Sequence, residues 1–425
     1  MSVLKIVKNK YLKRIVDKKL DVLLESSGAV LIRGTKWCGK TRTAEERAAS
    51  AVYMQDPKEQ KNYTEILKTD PSILLEGRTP HLIDEWQTAP VLWDGVRFAV
   101  DQRGGSGHFI LTGSAVPADG AVMHTGTGRI ARLLMRPMTL FESLESDGSV
   151  SLRSLFNGDD IKGVSPLTLK GLAFALARGG WPASIGEREA LALQHSENYV
   201  EAVIESDISR VDGVGRNPAN VRMLMRSLAR NISTAAKLTT IRKDISSDNP
   251  VTEKSISSYM NALQRIFVTE DLPAWSPNMR SKSALRTSPK RHFVDPSIAT
   301  AVLRVSPDGL MKDFNTFGLL FESLCIRDLR VYAQANDGEV YHYRDKDNLE
   351  VDAIISLHDG RWGAAEIKMG AGATDEAAEN LIKMRDKVNT EKMGEPSFLA
   401  VITASSYAYR REDGVYVVPI GCLKD

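Results

Sequence analysis

Eight residues near the N-terminus carry the most specific chemistry in the chain. Gly34-Thr35-Lys36-Trp37-Cys38-Gly39-Lys40-Thr41 fits the pattern G-x-x-x-x-G-K-[ST] without a mismatch. Glycine at each end permits backbone conformations that turn amide N–H groups toward a phosphate. Lys40 is the residue to reach β- and γ-phosphates, and Thr41 offers a hydroxyl to Mg²⁺. A helix starting near Lys40 would add its partly positive end. Downstream, the apolar run HLIDE ends in Asp84 and Glu85. Asp84 would hold Mg²⁺ directly or through water, and Glu85 would polarise an attacking water. Thr112 closes the next apolar run, placed either to orient that water or to satisfy buried backbone groups. Arg129 and Arg132 follow a glycine-rich stretch. They read either as arginine fingers reaching across a subunit interface or as surface residues. Cys38 reads as a small space-filling residue.

A second constellation lies toward the C-terminus: Glu322 in a helical run, then Glu350-Val351-Asp352, then Glu366-Ile367-Lys368. Strand alternation puts Glu366 and Lys368 on one face with Ile367 behind them. Asp352 and Glu366 would then offer hard oxygen ligands to a divalent metal, with Lys368 orienting or deprotonating water. The plain reading of the same pattern is cross-strand ion pairing.

The elements that must hold these groups follow from periodicity. AVLIR at 29–33 is a strand, TRTAEERAAS and VLWDGVRFAVDQR are helical, and FILTGSA at 109–115 is again a strand. Alternation of this kind predicts a parallel sheet covered on both faces. From about residue 150 the pattern turns helical, with LTLKGLAFALARGGWP stopped by Gly179, Gly180 and Pro182. Three short helices follow over 221–270, the last (TEKSISSYMNALQRI) capped by Thr252, and FVTEDLPAW reads as a β-hairpin wing. Residues 276–292 carry Arg280, Lys282, Arg286, Lys290 and Arg291 with no acid, a basic connector. Beyond it a long helix, strands EVYHYR, VDAIISL and WGAAEIK, a helix and further strands form a second α/β region.

Composition bounds the rest. The 425 residues are 42% hydrophobic and 26% charged with a net charge of +2, so any basic surface must be local. Three scattered cysteines suggest neither disulfides nor a zinc cluster, and no apolar run is long enough to span a bilayer. The first twenty residues read as an amphipathic helix, and the expected location is the cytoplasm.

The stretches YLKRIVDKKL, GAVLIRGTKWCGKTRTA, LIDEWQ, LTGSA and GRIARLLMRPMTLFE together resemble the ATPase module of a large prokaryotic AAA+-type P-loop family. RGGWP at 178–182 and KRHFVDPSIATAVL at 290–303 resemble the C-terminal region that accompanies it. The resemblance implies ATP and Mg²⁺ as cofactors, with binding by Gly34 to Thr41 and hydrolysis by Asp84 and Glu85. It also implies Arg129 as a finger and homo-oligomers up to a hexameric ring. The helices over 221–265 with FVTEDLPAW are similar to a winged helix-turn-helix, with Lys254, Ser257 and Ser258 facing a DNA major groove; the alternative is a helical packing module. The D…E-x-K pattern looks like a restriction-endonuclease core. The expected architecture is therefore α/β. An N-terminal helix and AAA+-like P-loop sheet occupy 1–150, a helical lid 151–212, a winged-helix module 213–280 and a restriction-endonuclease-like α/β domain 281–425. The expected function is an ATPase that remodels DNA. The alternative is a nucleotide-dependent switch for a protein partner, with a nuclease-like domain that does not cut.

Overall fold

The computed structural model describes residues 11–116, 125–245, 252–276, 287–388 and 393–425. Arg280, Lys282 and Arg286 lie outside the described residues. The chain forms two compact units: Met1–Pro137 with Ser206–Gly215 and Asn261–Val268, and Met138–Glu205 with Arg216–Met260 and Thr269–Asp425.

The first unit is a five-stranded parallel sheet in the order β2-β3-β4-β1-β5. Its strands are β1 (Ala29–Arg33), β2 (Ser50–Tyr53), β3 (His81–Asp84), β4 (Phe109–Gly113) and β5 (Ile130–Leu134). Period-two alternation sends successive side chains of one strand to opposite faces. Ala29, Leu31, Ile83, Phe109 and Leu111 pack with Leu92, Trp93, Val96 and Val100 of the Val91–Arg103 helix. Val30, Ile32, Leu82 and Ile110 face Leu20 and Leu24 of the Val16–Ser26 helix. That helix begins at Val16 and residues 11–14 are irregular, so the expected helix over the first twenty residues is interrupted there; residues 1–10 lie outside the described range. The reason is local: Tyr11 donates to Asp17 at 2.6 Å and meets the Thr43 hydroxyl at 3.1 Å, which draws this segment against the sheet-side core as a strap.

In the second unit seven strands run in the order β7-β12-β13-β11-β10-β9-β8. They are β7 (Gly163–Val164), β8 (Gly338–Arg344), β9 (Glu350–Leu357), β10 (Trp362–Lys368), β11 (Phe398–Thr403), β12 (Tyr407–Arg410) and β13 (Tyr416–Pro419); the short β6 (Val150–Ser151) pairs separately with β14 (Leu423–Lys424). β8, β9 and β10 are antiparallel, whereas β10, β11 and β13 run parallel. Leu381 and Met384 of the Thr374–Lys387 helix pack with Val351, Ile354, Trp362 and Val401.

The RGGWP and VDPS motifs interlock inside this unit. Gly180 N–H donates to Asp295 at 2.9 Å, and Trp181 Nε1–H donates to Ser297 at 2.9 Å. A Cβ on Gly180 would stand 2.1 Å from the Met138 carbonyl oxygen, a contact that backbone cannot yield. FVTEDLPAW does not close on itself as a wing. Thr269 and Leu272 bridge Phe293 and Lys290, and Ala274 pairs in parallel with His342. Burial decides this pairing: Leu272 is fully buried and Trp275 tilts onto Trp362 with ring centroids 5.0 Å apart.

Candidate active site

The loop 34–41 leaves the C-terminal end of β1, and each of its glycines has a physical reason. Gly34 has φ +154, and a Cβ there would lie 2.0 Å from the Met135 carbonyl oxygen. Gly39 sits at φ +99, immediately before the Lys40–Glu45 helix, in a region that L side chains rarely enter. The loop is braced from outside by Arg14, a residue that sequence reasoning missed. Its buried guanidinium donates to the Cys38 carbonyl at 2.7 Å and to the Arg136 carbonyl at 2.8 Å. Cys38 is fully buried and its thiol reaches Met135 O at 3.5 Å, which fits the space-filling role. Trp37 stands out from the loop at φ +65 and is 49% exposed, while Lys36 pairs with Asp207 at 2.6 Å.

Lys40 is buried, and its ammonium donates to the Thr35 carbonyl of the same loop at 2.8 Å. An ammonium carries three donors. A buried cation with one carbonyl partner, set in a loop that only glycine backbone can shape, suits phosphate oxygens.

The acids meet the loop directly. Thr41 Oγ1 donates to Asp84 Oδ1 at 2.7 Å, and Thr112 Oγ1 donates to the same oxygen at 2.6 Å. The Glu85 N–H in turn donates to Thr112 Oγ1 at 3.0 Å. Thr112 is fully buried, and its hydroxyl bridges Asp84 and the Glu85 N–H. Glu85 adopts a left-handed conformation, φ +55, that costs a non-glycine residue about 1–3 kcal/mol. Its carboxylate accepts from Ser114 Oγ at 2.9 Å and from Gln87 Nε2. Ser114 and Gln87 are functional candidates the sequence reading missed; the downstream run LTGSA held the signal for Ser114. For Mg²⁺ the donor set fits, since one hydroxyl and one carboxylate oxygen already converge and the remaining ligands of this ion are ordinarily phosphate and water.

Arg129 sits one residue before β5, whose Ile130 pairs with Ala29 at the N-terminal end of β1. It therefore lies at the opposite end of the strands from the loop, six residue rises or ~20 Å away. There it pairs with Asp101 at 2.8 Å. Arg132 lies over Trp93.

The C-terminal constellation is assembled, with a lysine among its acids. The β9–β10 register, with Ala353 opposite Ala365, brings Asp352 beside Glu366, and Glu322 comes from the Phe314–Ala335 helix. Lys290 lies between them, its ammonium 2.7 Å from Glu322 Oε1 and 2.9 Å from Asp352 Oδ1. Asp352 Oδ2 accepts from the Ile367 N–H at 3.0 Å, while Glu366 accepts from Asn380 at 2.5 Å and from Lys368 at 3.2 Å. Among the described residues no group of three or more His, Cys, Asp or Glu side chains is disposed to hold a metal ion. The Asp352 and Glu366 oxygens, expected to hold a divalent ion, are here engaged by cations and N–H groups of the protein. Burial and the Asp352 charge push Glu322 up to about 8. Burial favours neutral Lys368, but the nearby Glu366 and Asp352 outweigh it and raise its pKa. The connector fares similarly: Lys290 and Arg291 are both buried, and Arg291 pairs with Asp271.

With this geometry in view, residues 26–144 match the AAA domain family, residues 169–309 a domain of unknown function (DUF8612), and residues 317–423 a second domain of unknown function (DUF4143). The chain thus carries a P-loop ATPase-family domain followed by further C-terminal domains, with a mixed α/β fold. Among solved structures it is similar to a Walker-type ATPase of Pyrococcus abyssi: 16% identity, 68% of this chain, 94% of that chain, TM-score 0.42. A DNA polymerase III gamma subunit-related protein of Thermotoga maritima aligns at 13% identity over 75% of this chain and 100% of that chain, with a TM-score of 0.23. Neither superposition is close enough to bear on function. No curated protein sequence matches the chain. Among the described residues no helix is long and apolar enough to cross a membrane.

Proposed function

We propose that the first unit binds ATP with Mg²⁺ and hydrolyses it, and that nucleotide occupancy serves as a switch controlling a protein partner. The observation that carries hydrolysis is the hydrogen-bonded line Thr41–Asp84–Thr112–Glu85, which joins the phosphate loop to a candidate base. Loop amides and Lys40 would hold the triphosphate, Thr41 and Asp84 would hold Mg²⁺, and Glu85 would take a proton from the attacking water once Ser114 and Gln87 release it. Bound Mg²⁺ would neutralise charge on the transferring phosphoryl group. Arg129, far from the loop of its own sheet, would act only on the site of a neighbouring copy in a homo-oligomer.

The switch is preferred over DNA remodelling because Lys290 and Arg291, the described cations of the basic connector, are buried in internal ion pairs. The DNA reading retains one support, the exposed Lys254 and Ser258 on the Glu253–Arg265 helix. ATP turnover with and without duplex and branched DNA, across a salt series, separates the two. Stimulation that fades with salt supports DNA handling, and indifference to DNA supports the switch. Lys40→Ala is expected to lose nucleotide binding; full ATPase activity in that variant refutes the assignment of the loop. Glu85→Gln is expected to bind ATP normally but turn it over about 10²-fold or more slowly, measured as kcat against Kd.

A further inference from the structure

The acidic cluster of the second unit has a cation already built into it. Lys290 belongs to an extended segment whose backbone is fixed in both directions opposite Leu272: Lys290 N–H donates to Leu272 O at 3.0 Å, and Leu272 N–H donates to Lys290 O at 2.9 Å. The next residue is held just as firmly, since Arg291 N–H donates to Thr234 O at 2.9 Å and its guanidinium reaches Ala236 O at 3.1 Å. The ammonium is therefore delivered from a paired backbone. Its side chain is 6% exposed, and a lysine is almost never buried to that degree unless it is paired.

Divalent ions and this ammonium compete for one place. Mg²⁺ or Ca²⁺ binds carboxylate oxygens at roughly 2.0–2.6 Å. An ion bridging Glu322 and Asp352 would thus have to occupy the space where Lys290 sits 2.7 and 2.9 Å from those same oxygens. The two cations would also repel each other at short range in a poorly solvated site. The other oxygens are already engaged: Asp352 Oδ2 accepts from the Ile367 N–H, and Glu366 accepts from Asn380 and pairs with Lys368.

We propose that Lys290 is the resident cation of the Glu322–Asp352–Glu366 cluster, that it excludes a divalent ion, and that its removal exposes a latent metal site. This inference is independent of the nucleotide site. Its consequence is that the cluster supports no metal-dependent hydrolysis as long as Lys290 stays in place.

Mn²⁺ binding to the nucleotide-free full chain tests this by electron paramagnetic resonance, with the Asp352-dependent portion isolated by comparing each protein with its Asp352→Asn counterpart. The wild type is expected to show no Asp352-dependent Mn²⁺. Lys290→Ala and the volume-retaining Lys290→Met, checked for folding by circular dichroism and melting, are expected to gain about one site per chain, which Asp352→Asn removes. Asp352-dependent Mn²⁺ on the wild-type chain overturns the proposal whatever the variants do. So does a folded Lys290 variant that gains no site.

Discussion

Buried cationic side chains brace the backbone of this protein, and the clearest instance is Arg14. Its guanidinium spans the Cys38 and Arg136 carbonyls, holding the phosphate loop and the chain that follows β5 at a fixed separation. Arg14→Leu leaves the buried Cys38 carbonyl without this donor, at about 1–3 kcal/mol, and the half-buried Arg136 carbonyl as well. The expected result is a lower melting temperature and weaker ATP binding, with less change in kcat than in KM. The phosphate loop and acid pair were legible because their chemistry needs fixed residue types at fixed spacing. Arg14 was not, since its partners are backbone carbonyls, which leave no mark on the sequence. The same holds for Lys290, which reads as one cation in a basic stretch until folding places it between two acids.

At the scale of elements, glycine and burial set what can be recognised. Gly180 admits the Met138 carbonyl where no Cβ fits, so Gly180→Ala is expected to unfold the second unit at markedly lower denaturant, read by its urea midpoint. β1, β3 and β4 were readable because both of their faces are covered and they run as unbroken apolar stretches. β2 (SAVY, alternately half-buried and exposed) and β12 (YAYR, mostly exposed) carry too little hydrophobic pattern to stand out. The hairpin wing misread a different signal: FVTEDLPAW has strand character, but Leu272 and Trp275 find their apolar partners in distant segments. The Phe314–Ala335 helix carries a pH signature of its own. Glu322 is raised from an ordinary 4.5 to about 8, so between those values the folded chain binds more protons than the unfolded one. Stability is then fully present below 4.5 and is lost as pH rises through about 8, by at most about 1.4 kcal/mol per pH unit. Denaturation midpoints should fall over this window in the wild type and fall less steeply in Glu322→Gln.

For the whole molecule, the first unit is discontinuous in sequence. Ile208, Leu263 and Val268 belong to it and are buried, and Arg265 exchanges two hydrogen bonds with Val116. A chain ending at residue 144, where the AAA domain match stops, lacks these pieces and is expected to aggregate or melt well below the full-length protein in scanning fluorimetry. The domain match alone does not reveal this dependence, because returning segments are specified by contacts and not by a local motif. The tryptophans offer a direct optical handle. Trp86, Trp93, Trp181, Trp275 and Trp362 are each no more than 8% exposed, whereas the indole of Trp37 projects from the phosphate loop. A soluble quencher such as acrylamide should therefore sample that single fluorophore preferentially. Protection of its emission on adding a nucleotide would report ligand arrival at the loop without any label.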